Sequence, residues 1–413
     1  MSRCHPDFIQ ACVGAAGDVI RAPRIYQKWS AISAIAGALG RKCWYDAGAF
    51  ELRPNLFIML VDAPGTGKSL SFSLPYEKVY KKLAVLTGTR KDSDNWNPNI
   101  DIFGLDYPLY WTGDRVTPEE LGVELTRTYH TNLALSTPSN GVFHSSSISI
   151  ITSELGTFLN RNDNYLQRFL TDMWDSRPDY NYRTKTAGVF FIKGPCVNWL
   201  SCATPTDFVN CMPESAKDQG LLSRIIPIYA DAPRLVDDIE YSKASDVDVY
   251  NLQCDFAEIS KMRGRFSFDP AFKEEARADV RAGLLPVPTS FMLDEYRARR
   301  VSHLLKIAMA ISASQDSNML ITAQVWARAK ELLFEAEGGM PHVLTFFGLG
   351  KTGQLTSDLL RFIDSVGKPF PLTLLRREII KRVSTSAEVE TTLKVMNDSG
   401  MISIQGTQVK RGG

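Results

Sequence analysis

Apolar residues recur at helical spacing through residues 6–40. Phe8, Ile9, Val13 and Ile20 make one stripe and, after a break at Pro23, Tyr26, Trp29, Ile32, Ile35 and Leu39 make a second. Cys43–Tyr45 and Ala49–Leu52 flank Asp46-Ala47-Gly48, which predicts a hairpin. Leu56–Val61 is a short apolar run without alternation, as in a strand buried on both faces. Leu70–Lys82 then reads as a helix. Thr117-Pro118-Glu119-Glu120 has the capping threonine, first-turn proline and following glutamate that open a helix, here running to about Tyr129. Residues 130–146, rich in Ser, Thr and Asn, read as loop.

Beyond them the pattern predicts a strand at Ile148–Thr152, a helix near Asn164–Trp174, and extended segments at Tyr180–Thr186 and Val189–Ile192 that could pair as a hairpin. A buried strand at Cys196–Ala203, a helix over 207–219 and a strand at Arg224–Tyr229 follow. Strands alternating with helices predict an α/β fold with a mainly parallel sheet covered on both faces. From Phe268 to Glu337 the pattern is helical, with Val301, Leu304, Leu305, Ala308 and Ile311 as one stripe. Within 354–413, three short helical runs are closed by a strand, a turn at Gly406 and a second strand, the pattern of a winged helix. The predicted divisions are a helical N-terminal segment 1–45, an α/β core 46–235, a helical lid 236–345 and a winged helix 354–413.

The chemistry centres on Asp62-Ala63-Pro64-Gly65-Thr66-Gly67-Lys68-Ser69, directly after the buried strand. Glycines let backbone N–H groups turn inward on a polyphosphate, a lysine reaches its β and γ oxygens, and a hydroxyl binds Mg²⁺. Pro64, Gly65, Thr66, Gly67, Lys68, Ser69 and Leu70 are therefore the candidate nucleotide-binding residues, with ATP and Mg²⁺ as ligands. Asp62 departs from the pattern, which has glycine at its first position; so close to phosphate it must point away or toward metal. An ATPase also needs a carboxylate to orient water, a polar sensor on the neighbouring strand and positive charge at the γ-phosphate. Glu154 follows Ile148–Thr152 and is the candidate for water; Ser153 stands where a metal-supporting aspartate is expected. Thr204 follows Cys196–Ala203 as candidate sensor, with a plain turn threonine as the other reading. Arg224, ahead of its strand, would lie at the core's edge and reach a neighbouring subunit's nucleotide. One of Arg297, Arg299 and Arg300 would cap the nucleotide from the lid.

Composition narrows the alternatives. The chain has 413 residues, 44% hydrophobic and 23% charged, with a net charge of +1, so it is globular in composition and any nucleic-acid surface is a local patch. The seven cysteines form no Cys-x-x-Cys pair and the five histidines are scattered, which argues against structural zinc, disulfides and a histidine-based triad. No apolar run reaches about 18 residues and no cleavable signal pattern is present, so a cytoplasmic location without membrane contact is expected. No primase, nuclease or polymerase constellation is visible, which leaves those chemistries to partners.

The order Arg53-Pro-Asn-Leu-Phe, Pro-Gly-Thr-Gly-Lys-Ser69, Thr-Gly-Asp114, Thr-Pro-Glu-Glu-Leu121, Thr-Ser-Glu154-Leu and Gly-Leu-Leu-Ser-Arg224 resembles the ATPase domains of phage and mobile-element replication proteins, related to the AAA+ class. Leu-Leu-Ser-Arg224 and Arg299-Arg-Val-Ser-His-Leu-Leu-Lys306 are similar to the arginine-finger and second-sensor segments of minichromosome-maintenance helicases. The resemblance covers roughly residues 6–312. It implies Lys68 and Ser69 on phosphate and Mg²⁺, Glu154 as catalytic acid, Arg224 as a finger acting in trans, Arg299 as second sensor, and a ring, commonly a hexamer.

Two places are candidates for DNA. The hairpin with Arg183, Lys185 and Lys193 would project into the pore of such a ring, where tyrosines and cations suit a single strand. In the C-terminal unit, Arg376, Arg377, Lys381, Arg382, Lys410 and Arg411 would grip phosphates. The expected function is a DNA helicase or translocase of a phage or mobile element, with a primase or polymerase as partner. The alternatives are an ATP-switched loader or regulator that binds DNA without unwinding, and a nucleotide-dependent scaffold.

Overall fold

The hairpin around Asp46 is present as β1 (Cys43–Asp46) and β2 (Glu51–Leu52), and the apolar run after it becomes β3 (Phe57–Val61), buried at every residue. The computed structural model describes residues 3–411 except 18–21, 88–98, 107, 114, 139–140, 160–163, 185–187, 213–219, 231–243, 289–293, 345–358, 361, 364–365, 382–385 and 399–400. Two compact units divide it, Met1–Val343 and Leu344–Gly413.

In the first unit the chain continues through β4 (Ala84–Leu86), β5 (Leu109–Thr112), β6 (Tyr129–Thr137), β7 (Gly141–Thr152), β8 (Asp179–Thr184), β9 (Gly188–Lys193), β10 (Pro195–Ala203) and β11 (Ile225–Ile228). The central sheet runs β11-β3-β10-β7-β5-β4, all parallel, with β6 antiparallel on the first half of β7. β3 is held in register on both sides, Phe57 facing Trp199 and Ile225, so the carboxyl ends of β3, β10 and β11 lie at one edge. β8 and β9 pair as a separate antiparallel ribbon. β12 (Gly264–Phe268) and β13 (Leu320–Ile321) join β1 and β2 in a second sheet, order β13-β12-β1-β2, which ties residues late in this unit to its beginning.

Successive residues of a strand face opposite sides, and β10 uses this to hold helices on both. Asn198 donates to the Ser33 carbonyl of helix Arg24–Leu39 at 3.0 Å, while Trp199 packs on Phe158 of helix Leu155–Phe158 at 5.2 Å between ring centres. Helix Arg24–Leu39 comes in close because its inner face is small. A Cβ on Gly37 would stand 2.3 Å from Ser149 Oγ and 3.3 Å from Asn198 Nδ2.

Two expectations are corrected. Residues 129–137 form β6, where a helix end and loop were expected, and the strand expected at Ile148–Thr152 is present but begins earlier, at Gly141, within the expected loop. The segment's Thr, Ser and Asn lack an apolar stripe because β6 is largely exposed, and edge pairing with β7 supplies the order. The expected helix Leu70–Lys82 is a short α turn (Lys68–Ser71), a wider π turn (Ser73–Val79) and a 3₁₀ turn (Tyr80–Leu83). Pro75 within it cannot donate to the helical ladder and its ring clashes with the preceding turn.

The second unit holds helices Leu372–Ile380 and Ser386–Asp398 and a sheet of β14 (Phe370–Pro371), β15 (Ile402–Gln405) and β16 (Gln408–Arg411), ordered β14-β16-β15. Its core includes Leu359, Ile363, Leu375, Ile379, Leu393, Met396 and Val409. Among the described residues of the chain, no helix is long and apolar enough to cross a membrane.

The tight helix-on-sheet approach makes a signed prediction. Gly37→Ala is expected to destabilise by about 1–3 kcal/mol through overpacking. Gly14→Ala, where an added Cβ meets nothing within 4 Å, is expected to stabilise by about 0.5–1 kcal/mol through helix propensity. Denaturant titration of both variants reads the contrast, and equal effects would refute it.

Candidate functional site

Ligands of parallel sheets sit beyond the carboxyl ends of the strands, and there the phosphate loop leaves β3. Gly65 and Gly67 adopt φ of +80° and +78°, the left-handed region glycine takes freely. Pro64, Gly65, Ser69 and Leu70 are exposed and Thr66 is buried, its hydroxyl donating to Ala63 O at 3.0 Å. Lys68 Nζ lies across the loop, donating to the carbonyls of Asp62 at 2.8 Å and Ala63 at 2.6 Å. Partial burial lowers its pKa below the usual lysine value, opposed by Cys202, Asp62 and Asp207.

Asp62, the departure from the pattern, points away from the loop's exposed face. It is 3% exposed. Its Oδ1 accepts from Ala63 N at 2.7 Å and its Oδ2 from the Tyr26 hydroxyl at 2.8 Å. Tyr26 Oη in turn accepts from Ala230 N, just past β11, at 3.1 Å. Burial, then the adjacent carboxylate, push the Tyr26 phenol well above its ordinary pKa, which keeps it a donor. One hydroxyl from helix Arg24–Leu39 thus fastens the phosphate loop to the exit of the edge strand. Sequence reasoning missed Tyr26, which reads as one more apolar-stripe residue.

Register aligns the other candidates with the loop. Val61 faces Ala203 and Ser201 faces Thr152, so Ser153, Glu154 and Thr204 leave the sheet at the same edge. Ser153 and Glu154 are exposed, Glu154 at the start of helix Leu155–Phe158 without a side-chain cap bond. Thr204 caps helix Pro205–Cys211: its hydroxyl accepts from Asp207 N at 3.1 Å and lies 2.7 Å from Asp207 Oδ2. This is a local capping role, as in the turn reading of this residue. Asp207 itself lies within electrostatic reach of Lys68 and was missed; the cap pattern Thr204-Pro-Thr-Asp207 was its signal. Loop, lysine and Ser69 hydroxyl fit a magnesium polyphosphate, since this ion keeps most of its ligands from phosphate and water.

Arg224 and Arg299 lie at the other end of the sheet. Arg224 ends just before Ile225, which faces Phe57 at the start of β3. The phosphate loop begins five residues further along that strand, about 16 Å away at roughly 3.3 Å per residue. Arg224 is buried at 6% exposure, not displayed on an edge. It donates to Gly220 O at 2.9 Å and to Asp175 Oδ2 at 2.9 Å, and its buried Nε makes no hydrogen bond. Arg299 Nε donates to Ser223 Oγ at 2.9 Å, so this residue stands beside Arg224 and not over its own chain's loop. Arg300 is buried in a bidentate pair with Glu337, and Arg297 bonds Pro288 O. Trp174 collects the cations: Lys306 Nζ lies 4.1 Å from its ring centre, and the Arg224 and Arg299 guanidinium carbons 5.5 Å each. Burial pushes Lys306 down to about 7 and His303 down to about 3.

Among the nucleic-acid candidates, the ribbon β8–β9 is formed as expected, with Arg183 on β8 and an exposed Lys193 ending β9; Lys185 lies outside the described residues. In the C-terminal unit Arg376 pairs with Glu390 at 2.8 Å and Lys381 with Glu378, which reduces their positive field. Arg377 and Lys410 are exposed, Arg411 ends β16, and Arg382 lies outside the described residues. Among the described residues no group of three or more His, Cys, Asp or Glu could hold a metal.

These features define an α/β chain with a mostly parallel sheet between helices, compatible with a phosphate-loop NTPase core. Compared with protein-family models and with curated proteins, the chain matches none.

Two measurements check this geometry. Tyr26→Phe is expected to cost about 1–3 kcal/mol, because a buried charged acceptor loses a donor; an unchanged denaturation midpoint would show the bond to be idle. Lys306 binds its proton less readily folded, at about 7, than the 10.5 of an exposed lysine. The unfolded chain therefore holds the extra proton between those values, and the site's contribution to stability grows as pH rises from 7 toward 10.5. Thermal melts of Lys306→Met should show a shallower rise with pH across that window than wild type.

Proposed function

We propose that the chain is an ATPase of the AAA+ class that assembles as a ring, commonly a hexamer, and uses hydrolysis to move on or unwind DNA in replication of a phage or mobile element. One observation carries the reading: Arg224 and Arg299 sit together about 16 Å, at roughly 3.3 Å per residue, from the level at which their own chain's phosphate loop begins. On this reading the γ-phosphate they neutralise belongs to a second copy. Arg299 is on this reading a second sensor in trans, not a cap on its own chain's nucleotide.

Within one subunit, the loop from Pro64 to Leu70 binds the polyphosphate, and Lys68 swings from its own carbonyls to the β and γ oxygens. Bound Mg²⁺ would supply charge neutralisation there, with Ser69 and Ser153 as the residues that would hold it. Glu154, exposed at the end of β7, orients the water. Thr204 serves as sensor by releasing Asp207. The ribbon β8–β9 and its Lys193 track a single strand, and the C-terminal unit, whose two described helices and small sheet support a winged helix, adds Arg377 and Lys410. The loader or regulator reading is favoured by the carboxylates against Arg376 and Lys381, which suit protein docking better than a phosphate grip.

Mixing tests the trans arrangement. Lys68→Ala and Arg224→Ala should each abolish DNA-stimulated ATP hydrolysis, the latter by about 10³-fold or more. An equimolar mixture should regain activity, because a Lys68→Ala subunit supplies Arg224 to an intact loop. No recovery, or full activity of Arg224→Ala alone, overturns the proposal. Hydrolysis without strand separation by the wild type selects the loader.

A further inference from the structure

The residue that holds Arg224 is the last residue of the helix that leads into the β8–β9 ribbon. Helix Asn164–Asp175 ends at Trp174 and Asp175; Ser176, Arg177 and Pro178 follow, and β8 starts at Asp179. Ser176 has φ of +50°, a left-handed conformation that a side-chain-bearing residue keeps only when its surroundings enforce it. They do so from several sides. Arg41 Nη1 donates to Ser176 O at 2.6 Å, and Asn55 Nδ2 donates to Trp174 O at 3.1 Å. At the ribbon's other foot, Gly194 N donates to Pro178 O at 2.7 Å, and a Cβ on Gly194 would stand 2.2 Å from His144 O. The ribbon is therefore clamped at both feet, and Tyr180 on β8 packs edge-on to Phe169 of the same helix at 5.4 Å.

Between this clamp and the arginine there is a single carboxylate. Asp175 is 30% exposed and Arg224 only 7% at the side chain, so the carboxylate is the solvent-facing half of the pair. Arg224 also rests on the Trp174 ring, whose neighbour in sequence is Asp175.

We infer that Asp175 and Trp174 are positioning residues that store Arg224 in a retracted place and release it when the ribbon is loaded by single-stranded DNA. Resting on the DNA reading above, this gives that reading its coupling step. Bonded to Asp175 and Gly220, Arg224 is buried and does not extend from the surface toward a neighbour. A strand pulling on β8–β9 strains the Ser176 bend, moves Asp175 and frees the guanidinium. Basal hydrolysis is thereby kept low until DNA is present.

The test uses the full chain with an oligo(dT) single strand. Asp175→Asn keeps the shape and removes the charge. Its DNA-free kcat should rise about twofold to fivefold, the population shift a partly exposed ion pair can impose, with KM for ATP unchanged, so that DNA stimulation shrinks by the same factor. Equal loss of activity with and without DNA, or an unchanged stimulation ratio, overturns the inference while leaving the trans reading standing, provided Arg224→Ala abolishes hydrolysis. Trp174 supplies a readout independent of turnover. Adding oligo(dT) should shift an emission component that Trp174→Phe removes and Arg224→Ala diminishes, and absence of any such component overturns the link even where Asp175→Asn fails to fold. If Arg224→Ala hydrolyses normally, the trans reading itself has failed.

Discussion

The parallel pairing of β3 with both β10 and β11 is the constraint on which the rest depends. Because Phe57 is level with Trp199 and Ile225, everything that leaves these strands at their carboxyl ends meets the phosphate loop, and everything that enters them meets the Trp174 cluster. Two chemically different ends follow from one register. A slip of one residue would also turn each strand's side chains to the opposite face, exchanging Asn198, bonded to helix Arg24–Leu39, for Trp199, packed on Phe158.

Burying Asp62 follows from the same frame. A carboxylate at 3% exposure is costly unless its lone pairs are met, and Ala63 N and the Tyr26 hydroxyl meet them. The bond to Ala63 N bends the carboxylate back along its own chain, so that the negative charge is turned from the face where Gly65 and Ser69 are exposed. A glycine at this position would leave the loop's first residue free; here it is fastened to the helix that crosses β10. The phosphate loop is thus part of the core's hydrogen-bond network at one end and exposed at the other.

What was legible in the sequence was what is contiguous. The phosphate loop, the strands ending at Thr152 and Ala203 and the small C-terminal unit are read from residues adjacent along the chain. Tyr26, Asp175 and Trp174 were not legible, because Tyr26 meets Asp62 from 36 positions away and Asp175 meets Arg224 from 49. Their types gave no signal: a tyrosine and a tryptophan on apolar stripes look like core, which they also are. β6 was missed since its order comes from pairing and not from burial, and Pro75 altered a helix whose apolar spacing alone looked regular. The three helix arginines were ambiguous in sequence because Arg297, Arg299 and Arg300 share one helix turn; their partners separate them, Arg300 with Glu337 and Arg299 with Ser223.

The electrostatics of the Trp174 end bear on why two arginines are kept there. Arg224, Arg299 and Lys306 surround one indole, with Asp175 the carboxylate that Arg224 bonds. The field is positive enough to be felt: after burial, Arg224 is among the groups that lower the pKa values of Arg299, His303 and Lys306. Aromatic faces and backbone carbonyls from Asn55 and Trp174 soften this repulsion without cancelling its net charge. A cluster that only stabilised the fold would be better built from apolar residues of similar volume, since buried ionic groups rarely repay their desolvation. An anion arriving from outside would relieve the repulsion at the moment it binds, and the phosphate of a second subunit's nucleotide is the anion the proposed ring would bring. On that reading the strain held around Trp174 is what makes the arginines responsive, because the arrival of negative charge changes the balance that keeps Arg224 on Asp175.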